Sequence, residues 1–162
     1  MIKASIFAIA LSLSAALSFA APTAWAMSSD DGPAKPAAAM DPDYAAGKKA
    51  IEAKDWKGAI DSLTKAAGKD AKNPDIQNYL GYAYRNSGNY DMAFKHYEAA
   101  LQIDSKHKGA REYLGEAYLL KNDLPKAQEQ LDALDRICTF GCPAYTALKR
   151  KVAEYKAAKK SS

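Results

Sequence analysis

NYLGYAYRNSGNYDMAFKHYEAALQ, residues 78–102, decides the fold. Leu80, Gly81 and Tyr84 recur at helical spacing before a polar break, Asn86-Ser87-Gly88-Asn89. Ala93, Tyr97 and Ala100 then recur in the same way after it. Two short amphipathic helices joined by a turn satisfy that pattern. The unit is also copied on both sides. Gly47, Gly81 and Gly115 are 34 residues apart, as are Ala59, Ala93 and Ala127. Trp56, Tyr90 and Leu124 keep the same interval, and so do Leu63, Tyr97 and Leu131. An unbroken period of 34 predicts a stack of helix-turn-helix units, each too small to bury its own apolar face. Such stacks offer long binding surfaces and rarely carry chemistry.

Three units fit, at about 41–73, 74–107 and 108–140. Their turns read Ala53-Lys54-Asp55, Asn86-Ser87-Gly88-Asn89 and Lys121-Asn122-Asp123. Asp55, Asn89 and Asp123 stand where they can cap the second helices, expected over 57–69, 91–103 and 125–137. Pro125 falls at a helix start, where its missing N–H costs little. After Pro143, residues Ala144, Leu148, Val152 and Tyr155 share one face opposite a lysine-rich one. We read 143–158 as a helix capping the last unit, followed by a tail, 159–162.

The 162-residue chain carries 23 Lys and Arg against 19 Asp and Glu. Its start reads as a targeting segment. Lys3 precedes an uncharged apolar run, Ile6 to Ala21, and Ala24-Trp25-Ala26 supplies small residues for a signal peptidase. We expect a signal peptide over 1–26 with cleavage before Met27. Residues 4–26 are uncharged and could also serve as an uncleaved anchor, which leaves retention open. Without residues 1–26, 22 basic and 19 acidic residues remain, interleaved along the chain. Nucleic-acid binders concentrate their basic residues instead, so no nucleic-acid partner is expected. Residues 27–40 hold two prolines, a glycine and no large aliphatic or aromatic side chain, and read as a flexible leader.

The repeats resemble the tetratricopeptide repeat family, which favours small residues at the eighth position and near the twenty-seventh, an aromatic at the eleventh and Ala at the twentieth. Leu80, Gly81, Tyr84, Ala93, Tyr97 and Ala100 match it well. The third unit keeps Leu114, Gly115, Tyr118, Ala127 and Leu131 but has Leu134 where a small residue is usual. The first keeps Gly47, Ala59, Leu63 and Ala66, with Ala50 at the aromatic position. This resemblance implies an all-α fold, a right-handed superhelical stack of three units plus the capping helix. It further implies a concave groove lined by the first helices. Carried onto this chain, the groove residues are Tyr44, Lys48, Ile51 and Glu52; Asn78, Tyr82, Arg85 and Asn86; and Glu112, Glu116, Leu119 and Leu120. The resemblance leads us to expect positive charge at Lys48 and Arg85 grading to negative charge at Glu112 and Glu116. Some family members clamp a C-terminal carboxylate with Lys, Asn and Arg. Here those columns hold Lys48, Tyr79, Gly109 and Tyr113, and the clamp pattern is missing.

Cys138 and Cys142 enclose Thr-Phe-Gly. In an exported chain an even pair favours a disulfide, with Gly141 supplying the bend. Thiol-redox pairs usually leave two residues between their cysteines, and a metal site would need more ligands than His96 and His107 add. No phosphate loop, nucleophile elbow or His-Glu-x-x-His occurs in the sequence. We therefore expect no catalytic residue, no metal and no cofactor.

These readings predict an exported adaptor, periplasmic if the source is a Gram-negative bacterium, holding a protein or peptide segment and lacking a membrane anchor once cleaved. Two alternatives stay open: a thiol-redox or metal-handling protein using Cys138 and Cys142, and self-association through the looser first unit.

Overall fold

The computed structural model describes residues 41–160; the expected signal peptide, leader and final two residues lie outside the described residues. Seven helices fill this span: α1 Pro42–Glu52, α2 Trp56–Lys69, α3 Pro74–Asn86, α4 Tyr90–Ile103, α5 Lys108–Leu120, α6 Leu124–Ile137 and α7 Pro143–Lys160. No strand occurs among the described residues. The helices pair as α1 with α2, α3 with α4 and α5 with α6. The pairs stack through α2 on α3 and α4 on α5, and α7 closes the stack against α5 and α6. The result is the expected superhelical all-α stack.

Local chemistry explains where each helix begins. Asp55, Asn89 and Asp123 accept hydrogen bonds from the backbone N–H groups of Gly58, Met92 and Lys126, at 2.9, 3.2 and 3.1 Å. Each satisfies a donor that the first turn leaves unpaired. The turns share one conformation. Lys54, Gly88 and Asn122, again 34 apart, have φ of 58, 87 and 61°. Only the middle unit places a glycine where the left-handed region demands one.

The repeated glycines mark close approach. A Cβ on Gly81 would lie 2.6 Å from the Tyr97 ring, so the bare backbone lets α3 lie against α4. In the third unit the closest neighbour of Gly115 is Leu148 on α7, where a Cβ would come within 2.5 Å. The larger Leu134 is fully buried beside it, in one cluster with Leu131, Leu148 and Val152. The departure from the repeat pattern at Leu134 thus coincides with the seat of the cap. That helix runs through Lys160, two residues beyond the expected 143–158, because Ala and Lys propagate helix and basic side chains suit its last turn. Among the described residues no helix is long and apolar enough to cross a membrane.

Candidate functional site

The inner face of α1, α3 and α5 is built from half-buried aromatics with charged groups between them. On α1, Lys48 Nζ lies 5.7 Å from the Tyr44 ring centroid and 5.9 Å from that of Tyr79 on α3, a cation held over two π faces. Ile51 packs into the first hydrophobic cluster with Tyr44, and Glu52 is exposed. On α3, Tyr82 stands between Trp56, at 6.1 Å between ring centroids, and Tyr113 of α5, at 4.9 Å.

Arg85 is the hub. Its guanidinium carbon lies 5.3 Å from both the Tyr82 and Tyr113 centroids, and the group is ion-paired to Glu116. The two side chains are only 11 and 19% exposed, so the pair is sheltered from screening. This pairing corrects the expected charge gradient. Arg85 offers no open positive charge, because Glu116 has consumed it. Glu112 is left as the unpaired group: no described residue donates a hydrogen bond or an ion pair to it. Burial and then the charge of Glu116 push its carboxyl up to about 7, against the pull of Arg85.

The remaining expected groove residues divide by exposure. Asn78 is buried, with its amide nitrogen 3.2 Å from where a Cβ on Gly109 would stand, and its Oδ1 has no hydrogen-bond partner. Asn86 is exposed, but its Nδ2 donates to its own helix, to the Tyr82 carbonyl at 2.8 Å. Leu119 packs beside the last cluster, whereas Leu120 is 57% exposed. Leu119 and Leu120 face a cavity of about 650 Å³, which Arg85, Tyr90, Lys151 and Tyr155 also line. The cap therefore forms one wall of the groove.

Sequence reasoning missed Tyr90, Lys151 and Tyr155 as lining residues, and Trp56, Tyr79 and Tyr113 as groove aromatics. The 34-residue register carries the second group, since Tyr79 and Tyr113 fall in one column. Tyr90 shares a column with Trp56, whereas Lys151 and Tyr155 depend on where α7 docks, which no repeat encodes. Away from this face, His96 stacks on Tyr84 with its Nδ1–H donating to Gln77 Oε1 at 2.8 Å, and burial lowers its pKa. His107 caps α5: its Nδ1 accepts from Ala110 N–H, and its Nε2–H donates to Asp75, both at 3.0 Å. Among the described residues no three His, Cys, Asp or Glu side chains assemble as a metal site. Cys138 and Cys142 stand at disulfide distance, with Cα atoms 5.6 Å apart, in the turn joining α6 to α7.

Two family models, both described as tetratricopeptide repeat, match residues 44–108 and 86–152. Among solved structures, the Sgt2 TPR domain from Aspergillus fumigatus superposes with a TM-score of 0.66 at 26% identity, over 74% of this chain and 78% of that one. The second TPR domain of human RPAP3, in complex with the HSP70 peptide SGPTIEEVD, gives 0.61 at 20% identity over 68 and 92%. The Yersinia enterocolitica type III secretion chaperone SycD, in complex with a peptide of the translocator YopD, gives 0.62 at 19% over 73 and 89%. No curated protein matches the sequence significantly.

Proposed function

Because the chain belongs to the tetratricopeptide repeat family, we propose that it is a protein-binding adaptor whose concave face holds an extended segment of a partner. The observation that carries this reading is the cavity of about 650 Å³ between α3, α5 and α7, with Leu120 exposed at its edge. An apolar recess beside aromatic and polar groups suits side-chain anchoring of an extended peptide. The structures of RPAP3 and SycD with peptides support the same use of the fold. The family is one of interaction modules, and we propose no enzymatic activity for the chain.

We further propose that the adaptor works after export, with residues 1–26 removed and Cys138 bonded to Cys142. The apolar run before Ala24-Trp25-Ala26 and the juxtaposed sulfurs support this. Mass spectrometry of the protein from its own cells should find Met27 at the N-terminus and no free thiol; a chain starting at Met1 with two free thiols would reject it.

The groove is tested by affinity capture from the source cells with three forms: wild type, Leu120→Asp and the outer-face control Lys95→Glu. Loss of a partner from the Leu120 variant alone supports the adaptor. Identical captures from all three forms would overturn it.

A further inference from the structure

We propose that the floor of the groove between α3 and α5 receives a basic side chain, Lys or Arg, of the partner segment; this rests on the adaptor reading above and names the chemistry it selects. The first observation is charge. Two carboxylates, Glu112 and Glu116, share the floor with one cation, Arg85, and that cation is bound to Glu116. That leaves Glu112, whose carboxyl no described residue hydrogen-bonds or ion-pairs, without a cation of its own.

A second, independent observation lies beneath it. Among the described residues, two buried side-chain polar atoms lack a hydrogen-bond partner, Asn78 Oδ1 and the Tyr97 hydroxyl. Tyr97 packs beneath this floor, and Asn78 lies beside α5 one turn away from it. The Asn78 amide abuts Gly109, one turn before Glu112 and Tyr113 on α5. Tyr97 is fully buried, its ring 6.3 Å from that of Tyr113, and burial raises the pKa of its phenol. A buried polar atom without a partner is costly, and both atoms can accept a hydrogen bond. An ammonium or guanidinium group brings donors and no acceptor, together with the missing positive charge.

The opposite occupant fits poorly. A carboxylate would place a third negative charge beside Glu112 and Glu116, and it would have to displace Glu116 to reach Arg85. The charged and titratable groups nearest Glu112 are Arg85 from α3 and Tyr113 and Glu116 from α5 itself. Its raised pKa follows from burial and the like charge of Glu116, which the pull of Arg85 only partly offsets.

The test is an NMR shift titration of the isotope-labelled protein, processed as its cells process it. The probes are four capped heptapeptides, Ser-Ala-Leu-X-Leu-Ala-Ser, with X as Lys, Arg, norleucine or Glu. The proposal expects Lys and Arg peptides to bind about fivefold tighter than norleucine, the size of one half-buried charge-assisted contact, and the Glu peptide to bind most weakly. It expects Glu112→Gln, with unchanged amide dispersion as the folding control, to erase the preference for Lys and Arg over norleucine. Groove shifts of equal affinity for all four peptides, or a preference for Glu, would overturn the proposal and leave the adaptor groove standing. Shifts confined to the outer helices, or no binding by any peptide, would overturn both.

Discussion

At the scale of single residues, the three inter-helix turns form an internal experiment. Lys54, Gly88 and Asn122 adopt the same left-handed backbone, yet only one is glycine. An L side chain there costs about 1–2 kcal/mol, partly offset by the extra chain entropy a glycine loses on folding. Lys54→Gly should therefore stabilise the fold by about 0.5–1 kcal/mol and Gly88→Ala destabilise it by a similar amount. Chemical denaturation of both variants reads the sign directly. Glu112 gives a second prediction. Its carboxyl titrates near 4.5 in an open chain and at about 7 when folded. Between those values the folded state holds more protons than the unfolded one, so this group's contribution is fully present below about pH 4.5 and is lost as the pH rises through 7. The loss is on the order of 1 kcal/mol, kept small by water that screens a half-exposed group. Denaturation midpoints measured from pH 4.5 to 8 should show that decline for wild type and a flatter profile for Glu112→Gln.

At the scale of helices, the sequence was readable wherever an interaction is local. The caps Asp55, Asn89 and Asp123 lie beside the N–H groups they satisfy, and each was placed from its position alone. His107 was not, although it caps α5 by the same geometry, because an imidazole cap is rare and its second bond goes to Asp75, 32 residues away. His107→Ala should cost about 1 kcal/mol of stability, the ordinary value of a lost cap. The cap helix teaches the same lesson about distance. Its amphipathic face was clear from Leu148 and Val152. Its closest seat, against Gly115 where the repeat pattern points to Leu131, follows only from three-dimensional packing. Leu148→Ala should lose about 2–5 kcal/mol, as large-to-small changes in a filled core do. Gly115→Ala should cost about 1–3 kcal/mol by overpacking. Thermal unfolding of the two variants measures both terms, and full stability in either would remove α7 from its place on α5.

At the scale of the whole molecule, the 34-residue register fixed which faces meet and which remain open. By column, the register points Tyr44, Tyr82, Glu112 and Leu120 to the inner face. The register could not assign partners among charges. Arg85 and Glu116 are 31 residues apart, and nothing in their spacing says that they neutralise each other while Glu112 stays alone. That one ion pair turns an expected gradient of charge into a floor with a single unpaired acid. It also makes Arg85 part of the packing between α3 and α5, so removing it tests the fold as much as binding. Leu120, exposed at the cavity edge, is the better probe. The most direct measurement replaces Leu120 on the inner face, and separately Lys95 on the outer face of α4, with a photo-reactive phenylalanine analogue, and crosslinks each form in living source cells. A binding groove gives a discrete crosslinked partner from position 120 and none from position 95. Crosslinks from position 95 alone, or the same products from both positions, would contradict a groove that binds.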